Sequence, residues 1–116
     1  MTRVLIIEDN EDIMEILKKK MLTSGYLVES MRSGLEAVSL LRDKKATPPD
    51  IVILDWVLPD RNGQEILNTI KSVWPFCRLF IFSAHEEYKT QIPQGVVEGF
   101  FCKSDGIASL LEAFKK

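Results

Sequence analysis

Short apolar runs recur along the chain, and each stops at a group able to do chemistry. Val4-Leu5-Ile6-Ile7 runs into Glu8-Asp9, Ile51-Val52-Ile53-Leu54 into Asp55, Leu79-Phe80-Ile81-Phe82 into Ser83, and Phe100-Phe101-Cys102 into Lys103. Uninterrupted runs of this length read as strands buried on both faces, the kind found inside a parallel sheet. A buried strand has no place for an acid in its interior. Asp55 is therefore expected at the strand's carboxyl end, where the chain leaves the sheet. Pro59 then bars the strand from continuing, and Asn62-Gly63 reads as a turn into a helix. Leu27-Val28-Glu29 is shorter and more polar, as expected of a sheet edge.

Between these runs the apolar spacing changes to a helical one. Asn10 is a predicted N-cap for a helix from about Glu11 to Thr23, with Ile13, Leu17 and Met21 on one face and Gly25 as C-cap. Ser33-Gly34-Leu35-Glu36 fits a capping box, and Leu35, Val38 and Leu41 are the expected buried stripe of the second helix. A third helix should start at Gly63, bury Ile66, Ile70 and Val73, and stop before Pro75. Ser83-Ala84-His85-Glu86 resembles another capping box, but Pro93 and Gly95 keep the helix after it brief. Ile107, Leu110, Leu111 and Phe114 mark the last helix. Strict alternation of strand and helix predicts an α/β fold, (βα)5, with a doubly wound five-stranded parallel sheet and right-handed crossovers. The most apolar strands belong in the centre, which gives the order 2-1-3-4-5 of flavodoxin-like folds.

In a parallel sheet all the strand ends that carry functional groups lie on one edge. Neighbouring strands are about 4.8 Å apart, so Glu8, Asp9 and Asp55 must crowd together. Like charges this close raise one another's pKa, and a hard divalent cation relieves the conflict. Mg²⁺ suits one or two carboxylates plus a phosphate oxygen. Asp9 and Asp55 are the candidate metal ligands, joined by the backbone carbonyl of Val57, with Glu8 acting through a metal-bound water. Lys103 and Ser83 are candidates to bind phosphoryl oxygens. Asp55 is the candidate nucleophile, since carboxylates form aspartyl-phosphate intermediates.

The bulk properties narrow the context. The 116 residues suit one domain, and a net charge of −2 gives no electrostatic reason for nucleic-acid or membrane binding. The apolar runs are too short to span a bilayer, and two cysteines without metal spacing suggest a reduced, cytoplasmic protein. Cys77 and Cys102 should lie on the order of 16 Å apart along neighbouring strands, too far for a disulfide.

The combination of Glu8-Asp9, Asp55 with Pro59 and Gly63 after it, Ser83 and Lys103 resembles the receiver domain of two-component response regulators, over the whole chain. The resemblance implies a phosphorylatable switch. A sensor histidine kinase or histidine phosphotransfer protein would donate a phosphoryl group to Asp55. Phe100 would be an aromatic that turns inward as Ser83 moves toward the phosphate, altering control of an output domain or partner. It also assigns Val57 and His85 to the positions that tune dephosphorylation.

Three departures stand out. Ser104 replaces the proline frequent after the lysine, so a trans bond is expected there, with Ser104 as N-cap of the last helix. The fourth helix is short, which weakens the expectation of output or homodimer contacts on that face. The last helix ends early, at Lys116, so the chain is expected to be either a receiver cut from a longer regulator or hybrid kinase, or a stand-alone domain.

Other functions fit less well. A degenerate binding module would not need the full set of acids, serine and lysine. A flavin carrier would need a Ser/Thr/Gly-rich phosphate loop where Glu8-Asp9-Asn10-Glu11-Asp12 stands. A turnover phosphatase with an aspartate nucleophile would want a second acid at Val57, so a non-enzymatic switch is expected.

Overall fold

The computed structural model describes residues 2–93 and 95–115. Its elements are β1 (Arg3–Ile7), α1 (Glu11–Thr23), β2 (Leu27–Met31), α2 (Gly34–Arg42), β3 (Ile51–Leu54), α3 (Gly63–Val73), β4 (Arg78–Ser83), β5 (Gly99–Cys102) and α4 (Ala108–Phe114). Short 3-10 helices occupy Glu86–Gln91 and Lys103–Asp105. All neighbouring strands pair in parallel, in the order β2-β1-β3-β4-β5. Among the described residues no helix is long and apolar enough to cross a membrane.

Alternation along the central strands divides the core in two. Leu5, Ile7, Val52, Leu54, Leu79 and Ile81 face α2 and α3, while Val4, Ile6, Ile51, Ile53, Phe80 and Phe82 face α1 and α4. Both faces are dry, which is why these strands read as continuous apolar runs. Asn10 caps α1 by accepting from the Ile13 N–H, and Ser33 caps α2 by accepting from the Glu36 N–H. Gly25 follows α1 at a φ of 91°, the conformation glycine tolerates best.

The helix faces are rotated slightly from those the spacing predicts. Helix α1 buries Met14, Leu17 and Met21, leaving Ile13 at the margin. Helix α2 buries Gly34, Ala37 and Leu41, and Leu35 is 56% exposed. Helix α3 buries Leu67 beside Ile66 and Ile70, while Val73 is 44% exposed. The residue that turns inward beside each is Met14 in α1, Gly34 and Ala37 in α2 and Leu67 in α3, with Trp74 buried just past Val73, so apolar character alone did not select the inward face.

The later half departs further. The fourth crossover is the 3-10 helix Glu86–Gln91, and no side chain caps it. The Ser83 hydroxyl instead accepts from the His85 N–H at 3.2 Å, so no capping box forms there. Ser104 does not cap the last helix either. It lies in the 3-10 turn, and α4 begins only after Gly106 at φ 83°. The Lys103–Ser104 bond is trans, as are all peptide bonds among the described residues. Lys116, the expected end of the last helix, lies outside the described residues. Arg78 ties this short helix to the sheet, donating to the Phe114 and Ala113 carbonyls at 3.0 and 3.3 Å and pairing with Glu98 at 2.8 Å. Both cysteines are free.

Candidate functional site

Sheet register assembles the site. Ile7 pairs with Leu54, so the next residues, Glu8 and Asp55, leave β1 and β3 side by side. Their backbones stay tied: Asp55 N–H donates to the Ile7 carbonyl at 2.9 Å, and Glu8 N–H to the Met31 carbonyl at 3.0 Å. Ser83 ends β4 opposite Cys102, which sets Lys103 just beyond the same edge.

The Lys103 ammonium lies 2.8 Å from Glu8 Oε1 and 3.2 Å from Asp55 Oδ2. Asp55 Oδ1 accepts from the Val57 N–H at 3.1 Å, and Glu8 Oε1 from the Asn10 N–H at 3.3 Å. Glu8 and Asp55 are 1% and 3% exposed, while Asp9 faces solvent. Glu8, Asp9 and Asp55 each offer a carboxylate oxygen within 4.8 Å of the others.

Burial pushes the Asp55 carboxyl up to about 7, and the neighbouring Glu8 charge adds to the rise against the pull of Lys103. Burial likewise raises Glu8 above its ordinary value, partly offset by Lys103. Burial works against the charged lysine, but its bonds and charge pairing with Glu8 and Asp55 outweigh this and raise its pKa. One ammonium thus pairs with two buried acids, and Asp9 adds a third carboxylate to the cluster. That donor set, all oxygen and under-compensated in charge, fits a hard divalent cation.

The other predicted residues are placed as follows. Val57 is 46% exposed and bridges to Asn62 across the β3–α3 loop. The buried Ser83 hydroxyl is engaged with its own loop, accepting from the His85 N–H at 3.2 Å and donating to the His85 carbonyl at 3.5 Å; among the described residues it makes no bond to Asp55. Phe100 is half-buried against the α2–α3 side of the core, and it borders a cleft of about 500 Å³ with Lys89, Ile92 and Val97. The His85 side chain is exposed, 3.6 Å from Glu87. Trp56, next to Asp55 but not among the predicted residues, is buried, and its indole N–H reaches Gln91 Oε1 at 3.5 Å.

One residue beside the site was not singled out from the sequence. Asp60, in the β3–α3 loop, accepts from the Gly34 and Leu35 N–H groups at 2.9 Å each. Its partners lie 26 and 25 residues away, so no local motif signals the bond. Those N–H groups hold the Asp60 carboxyl below its ordinary pKa.

A family model described as the response regulator receiver domain matches residues 4–115. The polar-differentiation response regulator DivK of Brucella ovis is 29% identical over 116 residues, covering 97% of this chain and 92% of DivK. Response regulator MprA of a Mycobacterium species is 26% identical over 90 residues; the match covers 78% of this chain but only 38% of MprA. Among solved structures, response regulator TrrA of Thermotoga maritima, in complex with Mg²⁺ and BeF, superposes with a TM-score of 0.85 at 25% identity, covering 99% of this chain and 97% of TrrA. With the acids, the lysine and the sheet order in place, the match over nearly the whole chain assigns this protein to the response regulator receiver domain family.

Proposed function

We propose that this chain is a single receiver domain that accepts a phosphoryl group on Asp55 in a Mg²⁺-dependent reaction. The reading is carried by the convergence of Glu8, Asp9 and Asp55 within 4.8 Å of one another, beside the Lys103 ammonium 3.2 Å from Asp55. Asp9, Asp55 and the Val57 carbonyl would hold Mg²⁺ directly, and Glu8 would hold it through water. Bound there, Mg²⁺ supplies positive charge that offsets the acids and the incoming phosphoryl oxygens.

The donor would be a phosphohistidine of a histidine kinase or phosphotransfer protein. An Asp55 carboxylate oxygen attacks phosphorus. The P–O bond forms as the P–N bond breaks, and the electron pair leaves with the histidine nitrogen. Asp55 must be ionised to attack, and a carboxyl raised to about 7 is only partly so near neutrality. Lys103 keeps the attacking carboxylate oriented and then pairs with a phosphoryl oxygen. Ser83 would exchange its bonds to His85 for one to the phosphoryl group, and Phe100 would turn toward the core as the hydroxyl leaves. Ligation that favours this second arrangement shifts a pre-existing equilibrium. An output domain, a partner or a second copy would read it, in the cytoplasm, without substrate turnover.

Incubation with Mg²⁺ and acetyl phosphate, followed by intact mass, tests the reading. The wild-type chain should gain one phosphoryl group, and Asp55→Asn or a chelator should abolish the gain. A wild-type chain without added phosphate would refute it.

A further inference from the structure

The loop between β3 and α3 carries both the phosphoacceptor and the proposed carbonyl ligand, and it is fastened at several points. Leu58 is buried in the core below it, and Val57 bridges to Asn62. Asn62 closes its far end by accepting from the Gln64 N–H at 2.7 Å. At its start Asp55 meets Lys103 and the Trp56 indole reaches Gln91; Asp60 ties the loop to α2, through its two 2.9 Å bonds to the first N–H groups of that helix. The next residue reinforces the contact. Arg61 Cβ and Cγ lie against Gly34 so closely that a side chain there would collide with them. Helix α2 is itself fixed to the sheet by Ala37 and Leu41 and has its own cap in Ser33.

We propose that Asp60 is a positioning residue for cation binding: its carboxylate pins the β3–α3 loop to α2 and so holds the Val57 carbonyl where it meets the acids of Asp9 and Asp55. The inference rests on the reading of the site given above. Asp60 touches neither the cation nor the phosphoryl group. Its charge suits the partial positive charge of a helix N-terminus, so each bond is charge-assisted. Without them the loop samples arrangements in which the carbonyl is displaced. Apparent affinity then falls in proportion to the lost competent fraction. Groups that orient ligands from behind are commonly worth 10–100-fold in metal affinity, and about tenfold is expected here.

Isothermal titration of the chain with Mg²⁺, and acetyl phosphate labelling at several Mg²⁺ concentrations, test this. In Asp60→Ala the Mg²⁺ Kd should rise about tenfold, while labelling at saturating Mg²⁺ returns to the wild-type rate. Asp60→Asn keeps an acceptor oxygen and should fall between the two. Ser33→Ala removes the helix's own cap, the 3.1 Å bond to the Glu36 N–H, without touching the loop. It should lower stability in urea and leave the Mg²⁺ Kd unchanged. An unchanged Kd in Asp60→Ala, beside a wild type that binds Mg²⁺, would overturn this inference alone. So would an equal rise in Ser33→Ala, because Asp60 would then act only by stabilising the helix. A wild type that binds no Mg²⁺ would overturn the reading of the site and this inference with it.

Discussion

Asp55→Asn exchanges a buried carboxylate for a neutral group of the same shape, in a place where the structure disfavours charge. The Asp55 pKa rises from 3.8 to about 7 on folding, first through burial and then through the Glu8 charge. A raised carboxyl pKa costs nothing below the unfolded value, where both states are protonated. The cost grows as pH climbs through the interval and is complete above the folded value. At 1.36 kcal/mol per pH unit the full cost is about 4 kcal/mol. Asparagine avoids it. In chelator-treated urea unfolding, Asp55→Asn should therefore be more stable than wild type by about 4 kcal/mol at pH 8 and by less than about 2 kcal/mol at pH 5. A variant less stable than wild type at pH 8 would refute the reasoning, as would a difference that does not change with pH. Saturating Mg²⁺ should narrow the gap at pH 8, because only the wild type keeps the full set of acids.

Further consequences follow from the same geometry. Lys103→Ala leaves Glu8 and Asp55 buried without their shared cation and should cost about 3 kcal/mol at pH 8 in urea unfolding, with the loss shrinking as pH falls and the acids protonate. The same variant should still accept some phosphate from acetyl phosphate yet show no accompanying change in the environment of Phe100 by NMR. Gly63→Ala would drive a methyl group into the Trp56 carbonyl oxygen and indole ring; a loss of about 1–3 kcal/mol is expected in urea, and an unperturbed midpoint would contradict the packing. Arg78→Ala removes the donors that hold the Phe114 and Ala113 carbonyls. It should speed amide exchange across α4 while the central strands stay protected.

The sheet was legible in the sequence because its central strands are buried on both faces. Val4–Ile7, Ile51–Leu54 and Leu79–Phe82 therefore show as runs with no polar interruption. Their order followed from which were most apolar, and the acid cluster followed from the order, since parallel strands deliver all their carboxyl ends to one edge. The helix faces were less legible. Leu35 and Val73 are as apolar as the residues that displace them, and only packing decides which face turns inward. Ser83 and Ser104 satisfied a local capping rule that other interactions overrode: Ser83 is held by its strand register and the His85 backbone, and Lys103 draws its turn toward the acids before a helix can start. Asp60 and Arg78 bond to residues distant in sequence, which no local pattern records.

Crystallisation with Mg²⁺ and beryllofluoride addresses the central claim most directly, since it places the cation and a phosphoryl mimic against the chain. The predicted result is one cation contacted by the Asp9 and Asp55 carboxylates and the Val57 carbonyl, with the mimic on Asp55 and the Lys103 ammonium against it. A cation bound away from Asp9, or a mimic on any other residue, would contradict it.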